Sequence, residues 1–317
     1  MKKTECVFLC LLLALALPLF GKTFQIKKVG EYPNFVALSP DGRFAYVTSY
    51  GTGELIEVDL QARLIKRMVP IGVAPLGVVL GDAGKTAYVA CRDSGTVAIV
   101  NLETFRVEAD IKVGGAPNSV AIDPRGYRVF VTNFGRSKEG QLHIIDTRQR
   151  ELAATIRMGV SPIAVAVSAA TDLAYVVNGG INEVWVVDPG RQLVTKKIPV
   201  GDAPDGIAIT PDGARVFVAN SRSHDLSVID ARLGTVLLTI PVGKMPFGVA
   251  VSPDGQRVFV VNTQSRNISM LPADLSSLQA KTFGVEKGPV GIQVAPDNRT
   301  VVVVNEQSHS LSVVEIQ

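Results

Sequence analysis

The 317-residue chain is poor in the side chains that most often carry chemistry, with 3 cysteines, 3 histidines and 1 tryptophan. Cys6 and Cys10 fall in the first segment, so Cys91 stands alone in the remainder and no disulfide can form within it. A fold without staples is held by packing, and Cys91, closing a YVAC run, reads as a small buried hydrophobe. No HExxH, CxxC or CxxCH spacing occurs, which removes the common zinc and covalent haem signatures. A GxSxG elbow, a P-loop and a dinucleotide fingerprint are missing as well, so the motifs imply no metal and no cofactor. Charge of one sign is also scarce. Setting aside Lys2, Lys3 and Glu5 of the first segment leaves 30 basic against 28 acidic residues. That balance gives no electrostatic footprint for nucleic acid. Apolar residues make up 47% of the chain, which excludes disorder, and glycine shows no three-residue period.

Long apolar runs are limited to one. Val7 to Phe20, broken at Pro18, follows Lys2 and Lys3. It is shorter than the ~20 residues a spanning helix needs. A basic start and a short apolar core mark residues 1–21 as a secretory signal peptide, with Leu19 and Gly21 near the cleavage point. The chain is therefore expected to be exported, periplasmic or extracellular, with no transmembrane segment once the signal is removed. Residues 22–317 are expected to form a single domain.

What the chain has in quantity is repetition. A proline recurs at Pro33, Pro75, Pro117, Pro162, Pro204, Pro246 and Pro289. Each is followed by a short apolar run, such as FVALSP from Phe35 or GVAVSP from Gly248, and then by a turn, with Asp-Gly at Asp41-Gly42, Asp212-Gly213 and Asp254-Gly255. An aromatic-led run comes next: YVTS at Tyr46, FVTN at Phe130, FVVN at Phe259. A third run closes on Asp59, Asn101, Asp146, Asp188, Asp230 or Glu315, and a fourth ends at a Val-Gly pair or its like. Four short β-rich runs per ~40–45 residues make a small antiparallel sheet, and tandem sheets of that size make a β-propeller. Runs that are apolar on both faces fit blades covered by two neighbours. Small residues in the first run (Ala37, Ala121, Ala208, Ala250) and bulky ones in the second fit wedges that converge on an axis. The seventh repeat stops after three runs, while a spare run, TFQIKKVG from Thr23, precedes the first proline. Pairing the two closes seven full blades and leaves no bare edge.

These YVTN-type runs, PDG turns and VG-x-x-P linkers resemble the YVTN β-propeller repeat proteins, including YncE-like exported proteins, over residues 23–317. The resemblance implies a seven-bladed propeller outside the cytoplasm. Related propellers include lactonase-type enzymes and haem d1-binding proteins, so the family leaves chemistry open.

The proline linkers and the loops between the second and third runs are expected on one face, where the loops diverge from blade to blade. Arg92, Arg136, Arg222 and Arg266 lie in those loops and have the planar, forked donors that hold a carboxylate or phosphate. The competing reading is a solvated rim in which they pair with Asp93, Glu139, Glu183 and Asp225. Asn34, Asn118, Asp205 and Phe247, just after their prolines, are expected near the channel mouth. The strand-end asparagines Asn133, Asn178, Asn220, Asn262 and Asn305 recur too regularly to mark a site and are expected to bond local backbone. His143 sits inside a run and reads as packing. His224 and His309 occupy equivalent loops and are the candidates for a general base, each beside a carboxylate. The leading expectation is an exported, non-catalytic binding or scaffold protein, monomeric. It would present the rim to a small anionic ligand, a cell-envelope component or a protein partner. The alternatives are a lactonase-like hydrolase and a carrier in haem d1 or quinone-cofactor metabolism.

Overall fold

The computed structural model describes residues 22–134 and 139–316. The predicted signal peptide lies outside the described residues. Each repeating proline opens an innermost strand: Pro33–Leu38, Pro75–Gly81, Pro117–Ile122, Pro162–Val167, Pro204–Ile209, Pro246–Val251 and Pro289–Val294. Proline is tolerated there because the first residue of a strand has no ladder hydrogen bond to donate. The chain then folds outward through three more antiparallel strands; in the first blade these are Phe44–Ser49, Glu54–Asp59 and Leu64–Pro70. Seven four-stranded sheets result.

The turn after the innermost strand follows from its sequence. Asp41 Oδ1 accepts the Ser39 hydroxyl at 2.5 Å and the Arg43 N–H at 3.0 Å, while Gly42 takes φ 71. Thr210 with Asp212 and Ser252 with Asp254 repeat the arrangement. A short acidic side chain folded back on its own backbone, followed by a residue free to adopt the left-handed region, is what a tight hairpin of this kind requires.

The ring closes as the repeat count requires. Thr23–Lys27 becomes the outer strand of the last blade, pairing with Ser310–Glu315 so that Ile26 lies opposite Leu311 and Thr23 opposite Val314. Small residues on the innermost strands face aromatic ones on the second: Ala37 opposite Tyr46, Ala121 opposite Phe130, Ala208 opposite Phe217 and Ala250 opposite Phe259. Near the axis the strands come so close that a Cβ at Gly206 would stand 2.1 Å from the Phe247 carbonyl oxygen of the next blade. The seven apolar clusters sit between blades, each drawing residues from two adjacent sheets, as in the one joining Val47 and Ile56 to Val304 and Val313. Burial on both faces holds for the second and third strands but not for the outer ones. Leu64–Pro70 alternates exposed and half-buried residues. Wedges diverge toward the circumference, so neighbours no longer cover the outermost strand.

Charged clamps reinforce the seams. Glu57, 1% exposed, receives two hydrogen bonds of 2.8 Å from Arg67, whose guanidinium also donates to the carbonyls of Leu102 and Glu103 in the next blade. Arg128 likewise joins Asp123 at 3.0 Å to Asp172 of the following blade at 2.6 Å.

Candidate functional site at the channel mouth

The seven innermost strands surround a cavity of about 670 Å³. Its shaft is mainly apolar, built from Val78, Val120, Val165, Ile207, Val249 and Ile292, with Gln293 as a polar member. Polar side chains gather at the linker end: Asn34, Tyr50, Arg92, Asn118, Asp205 and Glu306.

One backbone contact positions three of these six. In every blade the residue after the second strand donates its N–H to the carbonyl of the residue preceding the proline. These bonds are Tyr50 to Tyr32, Arg92 to Ala74, Phe134 to Ala116, Gly179 to Ser161, Ser221 to Ala203, Thr263 to Met245 and Glu306 to Gly288, at 2.8–3.2 Å. Six of the accepting residues hold positive φ, from 49 at Tyr32 to 67 at Gly288; Ala116 does not. The region is disfavoured for residues with a Cβ, and five of these six carry one. This fixed position carries tyrosine, arginine, phenylalanine, glycine, serine, threonine and glutamate in turn. The scaffold repeats and the chemistry varies.

Arg92 extends over the Phe134 ring at 5.9 Å, so its guanidinium leans on the equivalent position of the next blade. Asp205 of the fifth blade and Glu306 of the seventh also line the mouth. Burial pushes both carboxyls above their ordinary range; Ser221 partly offsets this at Asp205, and Asn34 with the nearby His309 at Glu306. Asn118 donates to the Ile163 carbonyl at 2.8 Å, stapling two innermost strands while lining the cavity.

Of the residues expected at the rim, the structure brings Asn34, Arg92, Asn118, Asp205 and Phe247 onto the cavity. Arg222 and Arg266 do not line it. Arg92 directly follows its second strand, whereas Arg222 is two residues past Asn220 and Arg266 four past Asn262. Further along the loop, a side chain leaves the mouth: Arg222 is exposed and lies 3.6 Å from Asp202. Arg136 lies outside the described residues. Among the described residues, Arg92 is the only cation lining the cavity. Tyr50 and Glu306 are site residues that the sequence reading did not select. Their signal was the position directly after each second strand.

The histidines have structural duties. His143, 3% exposed, contacts Thr155 at 2.9 Å and Asn133 at 3.1 Å, and burial lowers its pKa to about 4. His224 and His309 adopt φ 60 and 52 in their turns. Their Nδ1 atoms meet linker and loop backbone: His224 with Ser221 O and Met245 N, His309 with Gly30 O and Tyr32 N. Neither lines the cavity. The strand-end asparagines are buried and bond locally, Asn220 to Asp225 and Ser227, Asn262 to Asn267 and Ser269. Among the described residues no three metal-ligating side chains converge, and no helix is long and apolar enough to cross a membrane.

A search of the curated proteins returns no match. Among solved structures, hydrazine synthase of Kuenenia stuttgartiensis superposes with a TM-score of 0.82 at 19% identity, over 92% of this chain and 97% of that chain. At that identity the likeness establishes the propeller fold alone. A family described as YNCE-like beta-propeller matches residues 158–316, half of the chain. With seven blades closed by the N-terminal strand, the chain belongs to the YNCE-like β-propeller family.

Proposed function

We propose that this protein is an exported, non-catalytic binding protein whose ligand site is the linker-side mouth of the central channel. The observation that supports this is the form of the cavity, a mainly apolar shaft under a polar ring. Such a site suits a small molecule with an apolar body and a polar head, since concave apolar walls supply affinity and a few fixed polar groups supply orientation. Arg92 takes the anionic part of that head. Asp205 and Glu306 accept from its donors. Asn34 and Asn118, each tied to a neighbouring blade, hold the rim in shape. The hydrolase alternative draws its base from His224 or His309 and its carbonyl-polarising group from Arg222; neither histidine lines the cavity, both being engaged with backbone, and Arg222 lies outside it, which favours binding. Export rests on Lys2, Lys3 and the apolar run from Val7 to Phe20.

One measurement tests both parts. Mass spectrometry of protein purified from its own host should give a denatured mass lacking the first ~21 residues. Under native conditions it should show an added small-molecule mass that is reduced in Arg92→Ala and Asp205→Asn. An uncleaved chain overturns export; a native mass equal to the denatured one, or an adduct indifferent to both substitutions, overturns the site.

A further inference from the structure

The opposite face carries a second candidate, and the repeat supplies its internal control. On this face the turn glycines of four blades pack against the turn of the preceding blade. A Cβ at Gly42 would stand 3.3 Å from Pro296, at Gly84 2.4 Å from Pro40, at Gly213 2.8 Å from Ala170 and at Gly255 3.1 Å from Pro211. At Gly126 it would meet nothing within 4 Å. The cause lies in the second blade. Five blades carry a proline at the second turn position (Pro40, Pro124, Pro211, Pro253 and Pro296); the fourth has Ala169-Ala170 there, and Ala170 still meets Gly213, whereas the second reads Gly81-Asp82-Ala83-Gly84 and leaves the seam unfilled. Asp82 and Ala83 hold φ 48 and 50 in succession, a left-handed pair without glycine that no other turn of this face shows among the described residues. The result is a cavity of about 550 Å³ between the second and third blades.

Arginines gather at it. Arg125, Arg148 and Arg150 line the cavity with Tyr88 and Tyr127. Arg150 is engaged by Glu108 at 2.8 Å, and the Asp123 carboxylate by Arg128 at 3.0 Å. Arg125 and Arg148 have no carboxylate partner among the described residues; the Arg148 guanidinium carbon sits over the Tyr127 ring, 3.5 Å from its centre. Asp82 is the one lining carboxylate not in an ion pair. The local balance is therefore positive, and one guanidinium is oriented by an aromatic plate, the arrangement that reads planar or tetrahedral oxyanions. We infer that this seam binds a phosphoryl oxyanion, with Arg125 and Arg148 as its direct partners and Tyr127 as the surface that orients Arg148.

Calorimetric titration at low ionic strength with inorganic phosphate and, separately, with phenyl phosphate tests this and distinguishes a free ion from a monoester. Wild type should bind at least one probe. Arg125→Ala/Arg148→Ala should weaken that binding at least about tenfold, since each charge-assisted contact is worth roughly one decade. Both arginines are exposed, so the variant should melt with wild type. Arg266→Ala, at an exposed arginine that lines neither cavity, should bind as wild type does. The inference is overturned if wild type shows no binding at 10 mM (about the weakest specific range) of either probe. It is also overturned if the double variant binds equally, or if Arg92→Ala abolishes binding. The last result would move the anion to the central mouth.

Discussion

On the linker face, the residue after the second strand is tied to the same backbone carbonyl in all seven blades, and only its side chain changes. On the turn face, side chains repeat and backbone fit changes: four turn glycines meet their neighbour and one meets nothing. Repetition fixes different things on the two sides. Where backbone geometry is invariant, side-chain identity is free to vary, and Tyr50, Arg92 and Glu306 furnish the mouth. Where the packing depends on how each turn fits the next, one irregular turn opens space. Most polar groups on both faces serve the scaffold. Arg67 and Arg128 clamp blades, and the buried asparagines bind strand ends. A site is thus marked by a polar side chain that the repeat does not consume.

Removing Thr23–Lys27 should have the largest effect, because it breaks what both faces depend on. A chain starting at Tyr32 exposes the edge of Ser310–Glu315 and strips away Ile26 and Val29, now 4% and 0% exposed. Those two side chains alone account for about 1.5–3 kcal/mol each. Calorimetry should record a melting temperature lower by on the order of 10 °C. An unchanged transition would mean that the ring does not depend on this strand.

The architecture was legible in the sequence because its causes are local. Proline at each strand start, Asp-Gly at each hairpin and an aromatic opposite a small residue fix strand order, face and closure before any long-range contact is known. Arg92 and Arg222 looked alike in the sequence, both being loop arginines. They differ by one position along the loop, and only the shared backbone bond makes that position decisive. The open seam was less legible. The missing proline at Asp82 was visible, but its consequence depends on Gly126, forty-four residues away in the chain, and on which blade lies next to which.

A middle-sized effect probes the linker face through His143. Its folded pKa is lowered to about 4 from an ordinary 6.5, so the unfolded chain takes the proton first. Stability is therefore complete above pH 6.5, falls as the pH drops below it, and levels off near 4. At pH 5 the loss should be about 2 kcal/mol. Urea unfolding at pH 7.5 and 5.0 reads it, with His143→Gln as the control in which this part of the difference disappears. An equal pH dependence in the variant would show that burial does not hold the imidazole neutral.

The smallest effect, a difference of about 1–2 kcal/mol between two variants, falls on the turn face, where two glycines permit a direct test of the seam. Gly84 and Gly126 have φ 88 and 71, so alanine at either must enter the left-handed region, at about 1 kcal/mol. At Gly84 the new methyl also runs into Pro40, whereas at Gly126 it enters open space. Gly126→Ala should therefore cost about 1 kcal/mol and Gly84→Ala about 2–3 kcal/mol, the excess being overpacking. Measured by chemical denaturation, the difference between the two variants reports the seam rather than the turn, because conformational strain is common to both. If the two costs match, the second and third blades pack as closely as the others. The arginines around Gly126 would then decorate a closed surface.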